Sequence, residues 1–140
     1  MNLFNENGVR YRVTGGYAVM LYAEPRYTKG LDLWVDPSPA NAANVHRALT
    51  QFGAPMTGVT PEDFASEGLF YQMGRPPIRV DVITSIDGVS FQQAWPNRRM
   101  ADFGGIQIPF IGLTELIRNK KATGRLQDLA DAERLESGQK

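Results

Sequence analysis

The chain has 140 residues, 42% of them hydrophobic and 21% charged, and its 15 basic side chains balance 15 acidic ones. That length suits one domain with a sizeable core, and residues 1–140 are read as such; the balanced charge gives no global argument for a nucleic-acid or membrane partner. The lack of cysteine excludes disulfides, thiolate metal sites and cysteine nucleophiles, and a single histidine, His46, excludes a multi-histidine zinc site. The N-terminal stretch has no apolar signal core, and no apolar run approaches the roughly 18 residues of a membrane span. A soluble, cytoplasmic protein with no membrane partner is expected.

Tyr11 to Thr14 reads as a short strand running into Gly15-Gly16, followed by an apolar helix from Tyr17 to Tyr22 that ends at Pro25. Lys29 to Asp36 reads as a strand with Leu31, Leu33 and Val35 on one side and Asp32, Trp34 and Asp36 on the other. The next helix has Ser38 as N-cap, Pro39 in its first turn and Gly53 beyond its end, with Val45, Leu49 and Phe52 on one face. Thr60-Pro61-Glu62-Asp63 starts a short helix reaching about Glu67. Strands are expected at Leu69 to Met73 and Ile78 to Thr84 around a Gly74-Arg75-Pro76-Pro77 turn, with a helical turn at Phe91 to Trp95. Arg98 to Phe103 and Ile106 to Phe110 flank Gly104-Gly105, a hairpin signal. Helices from about Leu113 to Ala122 and from Leu126 to Leu135, broken at Gly124, close the chain. This order predicts an α/β or α+β fold, a mixed sheet with packed helices and a C-terminal helix pair.

Three sets of residues carry possible chemistry. Gly15 and Gly16, between strand and helix, let a backbone approach a phosphate, although a plain tight strand-to-helix turn is the commoner reason for such glycines. Asp32 and Asp81 each sit inside an apolar strand, where a carboxylate is costly unless exposed, paired or bound to a cation. Side by side they would form an oxygen site for magnesium; the alternative is two solvent-facing carboxylates on a half-buried sheet. Ile117 to Arg125 carries four positive charges and no negative one, and Asp128 and Asp131 follow it. It reads either as a solvated helix face or as cations, Lys120, Lys121 and Arg125, that meet a triphosphate or RNA backbone. His46 reads as a surface residue, and Trp34 and Trp95 read as core or sheet-face residues.

Gly15-Gly16, the run Arg26-Tyr27-Thr28-Lys29-Gly30-Leu31-Asp32 and the strand Arg79-Val80-Asp81-Val82 together resemble the signature of the DNA polymerase beta-like nucleotidyltransferase superfamily. The stretch Leu116 to Arg125, with Asp128 and Asp131, resembles the C-terminal helices of small bacterial nucleotidyltransferases similar to abortive-infection and type IV toxin–antitoxin toxins. The resemblance runs from about Tyr11 to Glu136. It implies transfer of a nucleoside monophosphate from a nucleoside triphosphate to an RNA (tRNA included), a protein or a small molecule, with two magnesium ions. It also implies Asp32 and Asp81 as catalytic metal ligands, nucleotide contacts from Gly15, Gly16, Thr28 and Lys29, and a possible cognate antitoxin; Lys120, Lys121 and Arg125 are weaker candidates for phosphate or acceptor contacts. One element departs from the signature. Its first aspartate falls at position 30, where this chain has Gly30. Asp36 lies about 13 Å further along the strand and does not replace it. The departure leaves three readings: a natural degenerate binder, a weak one-metal enzyme, or a silencing change introduced at position 30. A non-catalytic nucleotide- or partner-binding module of a toxin–antitoxin system is the alternative to an enzyme.

Overall fold

The computed structural model describes residues 1–23, 30–75 and 78–138, with residues 75 and 78 described by backbone alone. The elements run α1 (Asn2–Glu6), β1 (Tyr11–Thr14), α2 (Gly15–Tyr22), β2 (Leu31–Val35), α3 (Pro39–Phe52), a 3-10 turn (Pro61–Ala65), β3 (Phe70–Arg75) and β4 (Ile78–Ile83). They continue with α4 (Phe91–Ala94), a second 3-10 turn (Trp95–Asn97), β5 (Arg99–Phe103), β6 (Ile106–Phe110), α5 (Leu113–Thr123) and α6 (Leu126–Ser137).

The strands form one six-stranded mixed sheet in the order β3-β4-β2-β1-β6-β5. β1 pairs antiparallel with β2 and parallel with β6, while β2 pairs parallel with β4. The glycine pair closes the β5–β6 hairpin as expected. Strand alternation divides the side chains of β2 and β4 between two faces. Leu31, Leu33 and Val80 meet Phe4 of α1 and Leu49 of α3 on one face. Asp32 and Asp81 look the other way, toward Lys120 and Thr123 of α5. The apolar core draws on β1, β2, β4 and β6 through Val13, Val35, Val82 and Ile108, and on α3 through Val45 and Leu49, all buried.

Several boundaries depart from expectation. The helix after β1 starts at Gly15, so both glycines lie in its first turn. α1 has no counterpart in the sequence reading; one buried side chain, Phe4, anchors it edge-to-face on Tyr11. The stretch from Thr60 is a 3-10 helix ending at Ala65, started by a reciprocal Thr60–Asp63 capping box. Phe52, expected on the apolar face of α3, is 66% exposed in its last turn. Pro25 and the Pro76-Pro77 part of the expected turn lie outside the described residues. Among the described residues no helix is long and apolar enough to cross a membrane.

Candidate active site

The parallel register of β2 and β4 sets Asp32 directly opposite Asp81. Neighbouring strands lie about 4.8 Å apart, so two carboxylates on the same face at one rung confront each other. Thr14, the last residue of β1, is paired with Asp32 from the other side. The chain then turns into α2 at Gly15, whose φ of +64° favours glycine. A Cβ at Gly15 would collide with the Asp32 carboxylate. The backbone at the start of α2 thus lies directly against Asp32, which requires glycine twice over. Gly16 is buried within the helix turn.

These groups line an open cleft of about 480 Å³. Thr14, Gly15, Asp32, Asp81 and Arg79 form its floor, and Asn119, Lys120, Thr123 and Arg125 supply part of its wall. Burial first, and then the charge of Asp81, push the Asp32 carboxyl up to about 6; Lys120 and Arg79 act in the opposite direction. Asp81 is 2% exposed. The Arg79 Nη2 donates to its Oδ2 at 2.9 Å, while its Oδ1 is buried without a hydrogen-bond partner among the described residues. The Nε of Arg79 is likewise buried without an acceptor among the described residues. Buried polar atoms are rarely left unsatisfied, so an orphaned carboxylate oxygen and an orphaned guanidinium donor in one cleft suit a bound cation and a bound anion. Two carboxylates at one rung, one of them with an oxygen unpartnered among the described residues, fit one divalent ion. They fall short of the donor set for two, and among the described residues no group of three acidic or histidine side chains comes together.

Gly30 is buried at the start of β2. A Cβ there would run into the backbone carbonyl of Arg79, with the carbonyl carbon and the Cβ of Arg79 each 2.9 Å away. A carboxylate at position 30 therefore requires β4 to shift, and Gly30 matches the backbone around it. Asp36 is confirmed as remote from the cleft. It is buried, accepts from the Ser38 N–H and from Gln92, and lies 3.5 Å from Arg10.

The basic stretch divides three ways. Lys120 reaches the cleft wall but is 6% exposed, with its Nζ at 3.0 Å from Asp128 and 3.4 Å from Asp131. For Lys120 this corrects the solvated-face reading, because it is the centre of a buried ion knot between α5 and α6, whereas Lys121 and Arg125 are exposed. Asp128 also accepts from Thr123 and Arg125. Burial works against its charge, but these hydrogen bonds and that of Lys120 outweigh burial and hold its carboxyl below the ordinary range. Lys121 points elsewhere, forming an exposed pair with Glu136. Arg125, with a side chain 76% exposed, stands at the cleft rim. Thr28 and Lys29 lie outside the described residues.

Sequence reasoning missed Arg79 and Thr14. The Arg79-x-Asp81 spacing was the available signal, since residues two apart on a strand share a face. It also missed Arg12, a fully buried guanidinium stacked between Trp34 and Phe91 at 4.3 Å from each ring centroid. His46 is half-buried rather than on the surface, with Nε2 3.0 Å from the Val59 carbonyl oxygen.

The sheet order, with an acidic pair beside the glycine turn and a C-terminal helix pair against it, defines a nucleotidyltransferase-like fold. Two solved structures share it. The Thermotoga maritima protein TM1012, described as a candidate nucleotidyltransferase, superposes with a TM-score of 0.57 at 17% identity, covering 97% of this chain and 85% of its own. The lincosamide antibiotic adenylyltransferase LnuA, in its lincomycin-bound form, superposes with a TM-score of 0.55 at 13% identity, covering 97% and 91%. No protein-family model matches the chain, and no curated protein sequence matches it.

Proposed function

We propose that the chain is a magnesium-dependent nucleotidyltransferase that moves a nucleoside monophosphate from a nucleoside triphosphate to a hydroxyl-bearing acceptor. The observation that carries this reading is the Asp32–Asp81 pair, set in register at the floor of a cleft bordered by the first turn of α2. The fold supports it, and so does the cost of the pair. A sheet gains nothing from two confronting carboxylates, one of them with an orphaned oxygen, unless they serve a ligand.

In this reading Asp32 and Asp81 hold a divalent ion, which when bound neutralises charge on the phosphates and the leaving group. Gly15 brings the amide end of α2 to the triphosphate. The acceptor oxygen bonds to the α-phosphorus as the bond to the bridging oxygen breaks, and pyrophosphate leaves with that electron pair. Asp81 takes the acceptor proton. Arg79 and Arg125 are the cations best placed for phosphate oxygens. Lys120 shapes the cleft wall through its ion pairs, and Lys121 has no part. An RNA end, a protein side chain or a small molecule each meets the requirement for an acceptor hydroxyl.

The test is transfer of label from each of the four α-labelled triphosphates, with magnesium, to RNA, protein and small-molecule fractions. Transfer by the wild type that disappears in Asp32→Ala is the expected result. Silence of the wild type with every triphosphate and fraction contradicts the enzyme. Gly30 favours one second reading, a nucleotide- or partner-binding module without catalysis, acting for example with a cognate antitoxin. Under that reading the triphosphate binds in calorimetry, yet no label moves.

A further inference from the structure

Resting on the nucleotidyltransferase reading, we infer that the chain works with a single divalent ion, and that the guanidinium of Arg79 stands in for the second. Three observations meet at this residue. Its backbone carbonyl and Cβ occupy the space that a side chain at position 30 would need, so β4 leaves no room there for a third carboxylate. Its Nη2 holds Asp81 Oδ2 at 2.9 Å, a carboxylate oxygen that a second cation would otherwise take. Its side chain lines the cleft and is 25% exposed, and its Nε has no acceptor among the described residues, so the guanidinium keeps donors for a phosphate oxygen.

The charge arithmetic agrees. Three carboxylates with two divalent ions, as the superfamily resemblance implies, carry a net charge of plus one. Asp32 and Asp81 with Arg79 and one divalent ion also carry plus one. Loss of the carboxylate at position 30 and gain of a fixed cation beside Asp81 therefore leave the field at the transferred phosphate similar in sign and size. A guanidinium is always charged and offers a planar fork of donors, which suits it to bridging a carboxylate and a phosphate. It lowers no water or hydroxyl pKa, which leaves that part of the chemistry to the one divalent ion and Asp81.

The direct test counts manganese in the complex with α,β-methylene-ATP, by equilibrium binding and electron paramagnetic resonance. One Mn2+ per complex, with no spin coupling, is expected. Two Mn2+ with a dipolar-coupled spectrum overturn the inference and leave the nucleotidyltransferase reading intact; failure to bind Mn2+, or to bind the α,β-methylene analogue of any of the four triphosphates tried in turn, overturns both. As a second measurement, Arg79→Gln should weaken the analogue tenfold or more without changing the Mn2+ count, and Arg79→Lys should recover most of the loss. Unchanged analogue affinity in a folded Arg79→Gln protein, checked by circular dichroism, contradicts the role given to Arg79.

Discussion

Two acidic clusters lie within reach of Lys120, and they are built on opposite principles. Asp128 and Asp131 are buried, yet each finds a cation, and Asp128 accepts from three side chains. Asp32 and Asp81 face each other across two strands, and Asp81 keeps an orphaned oxygen. The first cluster spends its charges on joining α5 to α6. The second keeps part of its charge unmet, at a cost in stability, in a cleft open to ligands. Titration carries the same contrast: the Asp128 carboxyl is held below its ordinary range, and that of Asp32 is raised to about 6. Perturbation by good partners marks structure, whereas perturbation by burial and a like charge marks a site.

The sharpest way to break this comparison is to remove the cation of the satisfied cluster. Lys120→Met removes the buried cation that Asp128 and Asp131 share and should cost about 3–5 kcal/mol, read by urea denaturation at pH 7. Because the folded-state pKa of Asp128 is depressed, its contribution is fully present above the unfolded value and is lost as pH falls through the folded one. The deficit of Asp128→Asn should therefore shrink on acidification below about 4.

The open cluster should respond with the opposite sign. A carboxyl raised from 3.8 to about 6 favours the folded state when protonated, and this advantage is lost as pH rises between those two values. Asp32→Asn should then be more stable than the wild type at pH 8, by an amount on the order of 2 kcal/mol, and equal to it near pH 3. Thermal melts at the two pH values check this, and the same substitution should abolish transfer. Gly15→Ala should cost about 1–2 kcal/mol through its positive φ and should also displace the Asp32 carboxylate, so that magnesium no longer stabilises the protein. The smallest effect belongs to Lys121→Ala. Its exposed pair with Glu136 should be worth less than 0.5 kcal/mol by the same denaturation assay, with transfer unchanged.

Much of the fold was legible because local patterns and tertiary contacts agree. The apolar neighbours of Asp32 and Asp81 marked both as strand residues, and the two strands do pair; Ser38, Pro39 and Gly53 marked the limits of α3 as observed. What stayed hidden depends on contacts between distant segments. A run of cations from Arg118 to Arg125 gives no sign that Lys120 is buried while Lys121 is not; that follows from how α6 packs on α5. Nothing in the local sequence marks Arg12 as buried; Trp34 and Phe91 close over it in the fold. Gly30 looked like a gap in a motif, and only the approach of the Arg79 carbonyl shows why a side chain has no room there.

The central claim is that Asp32 and Asp81 are kept in an unfavourable arrangement for the sake of a cation. The most direct test is the unfolding free energy of the wild type and Asp32→Asn at pH 8, with and without magnesium. Magnesium should stabilise the wild type in proportion to its occupancy and close the gap to Asp32→Asn, which should not respond. A wild-type stability that magnesium leaves unchanged, or an equal gain in both proteins, would contradict the account.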